Sequence, residues 1–343
     1  MRRIPGTTLV ILLAVAWTGC APEQAPDTAA RDAESLNPIA EVVEIVARGL
    51  KFEAPDTISS GWTTVRFRNE SGMTHFALFD AMPPGYGIDE HQEQLAPAFQ
   101  KGMDLLNAGD VDAAMTAFGE IPEWFGQVVF AGGPGLLAPG RTAETTVFLE
   151  PGTYVVECYV KTDGIFHSYS PDPSTYGMVH ELTVTSDVTD APEPEADIRL
   201  TISTERGIEV QGEPTAGDHV VAVHFESQGP HENMIWHDVN LARLAGDTDL
   251  EALAAWMDAT SPGGLETPAP VVFVGGTNEM PAGSTAYVHV ALEPGRYAWI
   301  AEVPRPDEKG MLKVFEVPAA EPQAGSVGLE ERPGGEARRR QPR

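Results

Sequence analysis

The chain has 343 residues, and its 51 acidic against 22 basic side chains give a formal charge of −29. That charge repels nucleic acid and anionic lipid surfaces, so it excludes nucleic acid as a partner and membrane attachment through a basic patch. The length suits about two domains of ~150 residues, and 42% hydrophobic content excludes disorder through the middle of the chain.

The N-terminus indicates the compartment. Arg2 and Arg3 form a short positive region, and Leu9 to Trp17 form an apolar run too short to span a bilayer. Trp17-Thr18-Gly19-Cys20 follows, and small residues before a Cys at the end of such a run resemble a bacterial lipobox. The resemblance implies that residues 1–19 are a lipoprotein signal peptide and that Cys20 becomes a lipidated N-terminus anchoring the protein to a membrane. Trp17 departs from the usual Leu at its position. Ala21 rather than Asp after the cysteine resembles outer-membrane sorting, which places the protein at the cell envelope, on the periplasmic face of the outer membrane or on the cell surface. An ordinary signal peptide cut near the same place is the alternative. Residues 20–40 are rich in Ala, Pro and acidic side chains and read as a flexible tether, and residues 319–343 read as a disordered tail. The other cysteine, Cys158, has no intrachain partner once Cys20 is lipidated.

Between tether and tail lies a duplication. Val128–Cys158 and Val271–Ala301 align without a gap at an offset of 143 residues, with 14 of 31 positions identical. Each repeated segment is followed by a Gly-Met pair, Gly177-Met178 and Gly310-Met311, that opens a final strand, and each copy carries an early His after a strand: His75 in the first, His231 and His237 in the second. A repeat this long is a duplicated domain, predicted at 41–186 and 196–318, with a Pro- and acid-rich linker over 186–195. Tyr154, Val156, Cys158 and Val160 alternate onto one strand face, as do Tyr297, Trp299, Ala301 and Val303. Helical spacing appears over about 89–118 and 250–257. Abundant Gly and Pro, short strands and one helical insert per copy predict an all-β fold of two Greek-key sandwiches. Acidic clusters such as Asp56 and Glu150 to Glu157 read as a solvated face.

The first copy has a His after an early strand, Cys158 ending PGTYVVEC, then His167, then Gly-Met and a last strand. In this order it resembles the cupredoxins, the blue-copper fold, over about residues 42–185, and more weakly over 197–317. The resemblance implies tandem cupredoxin-like domains and a copper site made by His75, Cys158, His167 and Met178. Two imidazoles, a thiolate and a weak axial thioether suit copper in both redox states. The sequence departs from the family in spacing, because Cys158, His167 and Met178 are farther apart than is usual, as if a loop were inserted. Met178 also reads as core, since Gly-Met recurs in the second copy, where Ala301 replaces the cysteine. That second copy reads as a degenerate domain that kept the fold and lost the metal.

Two functions follow from these readings. One is a copper protein that carries electrons or handles copper at the envelope, with a redox partner that the acidic surface would steer if it were basic. The other is a metal-free cell-surface scaffold. A third, an oxidoreductase sharing copper between domains, needs histidines of the second copy to face the first. No His-x-His or His-Cys-His motif, Gly-x-Ser-x-Gly elbow, Walker loop or dinucleotide fingerprint is present, which argues against a multicopper oxidase and the common hydrolases and nucleotide enzymes.

Overall fold

In the computed structural model, residues 41–232 and 236–319 are described. The segments expected as signal peptide and tether, with Cys20, and all but the first residue of the expected tail lie outside them. The first copy contributes strands β1 (Glu41–Ala47), β2 (Phe52–Glu53), β3 (Thr57–Asn69), β4 (Leu78–Ala81), β5 (Val129–Phe130), β6 (Thr142–Leu149), β7 (Gly152–Glu157), β8 (Lys161–Thr162), β9 (Ile165–Phe166) and β10 (Val179–Val188). The second contributes β11 (Ile198–Ser203), β12 (Gly207–Gln211), β13 (Gly217–Phe225), β14 (Val239–Leu244), β15 (Val272–Thr277), β16 (Thr285–Leu292), β17 (Gly295–Ile300) and β18 (Leu312–Val317). The all-β expectation holds, and β10 runs three residues into the segment expected as a linker.

The strand order repeats. In the first copy β2, β1, β3 and β6 are joined, and β10, β7, β4 and β5 are joined, with the start of β3 pairing β10. In the second copy β12, β11, β13 and β16 lie side by side, as do β15, β14, β17 and β18. In each copy the first strand pairs in parallel with the third, β1 with β3 and β11 with β13. The predicted inward faces are buried: Tyr154, Val156, Cys158 and Val160 in one copy, Tyr297, Trp299, Ala301 and Val303 in the other.

The copies join through equivalent strands. β6 pairs antiparallel with β16, setting Thr145 opposite Val288, its own counterpart at the 143-residue offset. Pro134 likewise bridges Thr277, its counterpart. Hydrogen bonds come in mates about this local two-fold: Gly135 N to Gly276 O at 3.1 Å with Asn278 N to Gly133 O at 3.0 Å, and Gly132 N to Glu279 O at 2.9 Å with Gly275 N to Leu136 O at 3.1 Å. The repeated Gly-Gly is therefore the seam. Gly133 (φ +112) and Gly276 (φ +145) have backbone angles that side chains resist, and a Cβ there would lie 2.2 Å from Ala77 O or 2.3 Å from Val239 O, in each case a carbonyl of the glycine's own copy.

The expected helical segments are α1 (Ile88–Glu90), α2 (Ala96–Asn107) and α3 (Val111–Phe118), with a π-helical turn over His91–Leu95, and α4 (Leu250–Trp256) in the second copy. Pro97 near the start of α2 needs no N–H partner there, and Asp110 caps α3 by accepting from Ala113 N. Between this insert and the two copies lies a cavity of about 500 Å³, apolar at Phe99, Phe118 and Phe125 and acidic at Glu157, Glu279 and Glu302. Glu157 is thus buried, correcting the reading of its cluster as wholly solvated, whereas the Asp56 side chain is 92% exposed. Alternation along β7 puts Cys158 inward and Glu157 on the opposite face, and the insert covers that face.

Candidate metal centre

His75, Cys158 and His167 converge, although 83 residues separate the first two in sequence. Cys158 Sγ lies 3.5 Å from His75 Nδ1 and 3.8 Å from His167 Nδ1, and the two nitrogens are 3.1 Å apart. All three side chains are buried. His75 sits just before β4, where its N–H donates to Leu137 O and its carbonyl accepts from Leu137 N. Cys158 immediately follows β7.

The long loop after Cys158 returns its residues by hairpin geometry. β8 and β9 pair antiparallel, and His167 N donates to Val160 O at 2.8 Å, which turns the ring back over the cysteine. The excursion 169–176 then closes on itself: Met178 N donates to His167 O at 2.6 Å, and Cys158 N donates to Met178 O at 3.3 Å. Gly177 permits this closure, since a Cβ there would lie 2.3 Å from the Ser168 carbonyl carbon and oxygen. Met178 is fully buried and tied by its backbone to two of the three converging residues.

Protonation states suit ligation. Burial, aided by the neighbouring His167, pushes His75 down to about 3, and burial pushes His167 down to about 4, so both rings are neutral with lone pairs available. His167 Nε2 is 2.9 Å from Thr162 Oγ1, itself 2.7 Å from Thr267 Oγ1 of the second copy. With Nε2–H donating to that hydroxyl, Nδ1 presents its lone pair to the cysteine side. Burial drives the Cys158 thiol up to about 12, while backbone N–H groups of Phe76 and Val160 directed at the sulfur pull the other way. A thiol held this high is inert until a cation displaces its proton. Two imidazoles and one thiol at one buried point form a donor set that fits copper.

The insert holds the His167 loop in place, a role the sequence did not reveal. Gln92 Oε1 accepts from Gly177 N at 2.7 Å and Gln92 Nε2 donates to Ser168 O at 2.8 Å. Gln100 Oε1 accepts from Phe166 N at 2.9 Å, and its Nε2 donates to Gly164 O at 3.1 Å. The second copy grips the same loop, with Lys161 Nζ buried against Ser261 O (3.0 Å) and Pro262 O (3.2 Å).

A second group, Asp80, His91 and Glu157, also brings three donors together. Its hydrogen bonding argues against a metal. Gly177 fixes the Gln92 amide, so Nε2 of Gln92 donates to His91 Nδ1 at 3.0 Å, leaving the His91 Nε2–H aimed at Glu157 Oε2, 3.2 Å away. Neither ring nitrogen then offers a lone pair. Asp80, with no hydrogen-bond partner for either oxygen, is raised well above the usual carboxyl range by burial and by Glu157. It holds its proton, as two adjacent buried carboxyls require.

No protein-family model matches the chain, and no curated protein sequence matches it. Among solved structures, the chain is similar to the blue copper protein auracyanin A of Chloroflexus aurantiacus, at 22% identity over 42% of this chain and 97% of that one, with a TM-score of 0.24. It is similar to the auracyanin of Roseiflexus castenholzii at 21% identity over 43% and 98%, TM-score 0.23. It is also similar to a multicopper oxidase at 13% identity over 80% and 87%, TM-score 0.18. Likenesses at these TM-scores carry no argument about the site. What the chain itself shows is one strand order repeated in both copies and the order His, Cys, His, Met along the first.

Proposed function

We propose that this is a copper protein of the cell envelope, anchored through lipid on Cys20, that carries electrons or hands on copper at the centre formed by His75, Cys158, His167 and Met178. The convergence of two neutral imidazole nitrogens and the Cys158 sulfur within 3.8 Å of one another, sealed from solvent, supports the reading. Copper bound there would supply one-electron chemistry. The chain supplies the rest. Thr162 orients His167, the N–H groups of Phe76 and Val160 stabilise the sulfur once it has lost its proton, and five backbone hydrogen bonds hold the ligand-bearing segments against movement. A frame that does not rearrange between charge states keeps the cost of electron transfer low. The path His167 Nε2–Thr162 Oγ1–Thr267 Oγ1 leads from the buried ring to half-buried hydroxyls at the junction of the copies, and a basic partner docking on the acidic surface would be steered by charge.

The test is a visible absorption spectrum of the full-length protein with one equivalent of copper(II). An intense thiolate-to-copper band is expected, absent from Cys158→Ala. If the wild type shows no band and retains no copper through desalting, Cys158 is a core thiol and the metal-free scaffold becomes the reading to pursue.

A further inference from the structure

The second copy rebuilds half of the first centre from different parts of the sequence. Leu78 pairs Glu157 and Asn240 pairs Ile300, and these partners are counterparts at the 143-residue offset. Counting back three residues from each makes His237 the counterpart of His75. The backbone of His75 is fixed on Leu137. That of His237 is fixed on Met280, the counterpart of Leu137, through Gln228, which donates to both carbonyls (2.9 and 2.8 Å) and accepts from His237 N at 3.0 Å. Ala301 N donates to Met311 O at 3.0 Å as Cys158 N does to Met178 O, and Met311 is fully buried like Met178.

The hairpin that brings His167 to the first centre has no equivalent here, but His231 takes its place. His231 Nε2 lies 2.9 Å from His237 Nδ1, against 3.1 Å between the nitrogens of His75 and His167. The ring centroids are 5.2 Å apart at 55° in the second copy and 4.8 Å at 56° in the first. His237 is stacked on Phe225, fully buried, and its Nε2 has no partner, as is true of His75 Nε2. A hydrogen bond between the rings would account for the short distance alone. It would not account for the match in ring angle, nor for a fully buried methionine, Met311, whose backbone is held as that of Met178 is in the first copy.

We infer that His231, His237 and Met311 form a second metal centre, one without a thiolate, that takes a soft monovalent cation, copper(I). The donors are two neutral imidazoles and a thioether, with Ala301 where the thiolate would stand. Thioether donors favour copper(I) over harder divalent ions. A buried set with no anionic ligand also accepts a single charge at lower cost than a double one. A cation at about 2.0 Å from each nitrogen needs a small opening of the His231–His237 pair, as the first centre needs of His75 and His167. The chain would then hold one copper centre for redox work and a second, colourless one for copper(I) itself.

The test uses silver(I), a redox-inert stand-in for copper(I), titrated into the full-length protein. Two equivalents retained through desalting are expected, falling to one in His237→Gln and in His231→Gln, with the copper(II) charge-transfer band of the first centre intact in both. Retention of only one equivalent by the wild type, or of two by both variants, would overturn the proposal. Histidine side-chain nitrogen NMR on the unmutated protein guards against variants that misfold: the resonances of His231 and His237 must both shift with added silver(I), and their failure to move overturns the proposal equally. The same shifts are expected in Cys158→Ala, so failure of the first centre and failure of the second are read separately.

Discussion

The two copies share a strand order, a seam and a backbone closure, yet only the first brings a cysteine thiol to its histidine pair. The difference lies in one side chain and one loop. Cys158 is replaced by Ala301, and Met178 follows Cys158 by twenty residues where Met311 follows Ala301 by ten. The additional residues carry the β8–β9 hairpin and His167, and their backbone is bound by Gln92, Gln100 and the second copy. The sheet supplies two fixed points, an early histidine and the end of the penultimate strand. What metal those points can hold depends on a loop that the sheet does not specify. Loop closure costs only about 0.6 kcal/mol for each doubling of length, so a longer loop is cheap provided something else orders it, and the insert does so.

The comparison breaks most visibly with Ala301→Cys. Placing a thiol beside His231, His237 and Met311 should give the second copy a copper(II) charge-transfer band of its own, doubling the band per chain. Overpacking at a fully buried alanine costs about 1–3 kcal/mol, so the variant should be checked by denaturant melt before copper is added. An unchanged band in a folded variant would mean that the second histidine pair does not match the first.

Gly177→Ala attacks the loop that sets the first copy apart. Its Cβ would collide with the Ser168 carbonyl, and the expected loss is about 3 kcal/mol, read in denaturant unfolding, with a weakened copper band. The seam should respond symmetrically. Gly133→Ala and Gly276→Ala each force a side chain onto a positive-φ residue against a facing carbonyl, and each should cost about 2 kcal/mol. A large effect at one and none at the other would show that the local two-fold does not share the load.

The smallest effect separates the copies by pH. His75 and His167, lowered to about 3 and 4, bind fewer protons folded than unfolded, so the stability they contribute at neutral pH is lost as pH falls below 6.5. His237, lowered to about 3, adds to this from the second copy. Buried carboxyls act in the opposite sense. Asp238, raised to about 8 by burial and by Glu279, and Glu302, raised well above its usual value by burial and by Asp238, hold protons in the folded state that the unfolded chain releases. Their contribution falls as pH rises through that window. Above pH 6.5 His75, His167 and His237 are neutral in both states, so metal-free stability should decline toward pH 8 because of the buried acids, joined by His219, which burial lowers but its hydrogen bond to Asp197 raises overall. Glu302→Gln should flatten that decline, as measured by thermal melts across the range, and an unchanged slope would remove Glu302 from the account.

The all-β class, the duplication and the histidines and cysteine of the first centre were legible in the sequence because each leaves a local mark: period-two burial, a gapless repeat, a family order of His, Cys, His and Met. The Gly-Gly repeat was visible, but its role was not, since the strands meeting at the seam are far apart in the chain. Which of His231 and His237 corresponds to His75 required the register of β14 against β17. Glu157 was misread because alternation shows that a residue faces away from the core but not that a helical insert covers that face.

The sequence by itself therefore determined the two sandwiches and the donors His75, Cys158 and His167, because strand periodicity and residue chemistry are properties of short segments. Only the tertiary structure decided that an insert tens of residues upstream and the second copy together hold the His167 loop, and that His231 stands to His237 as His167 does to His75. Those relations are made by hydrogen bonds and packing between segments whose separation along the chain leaves no pattern in the order of residues.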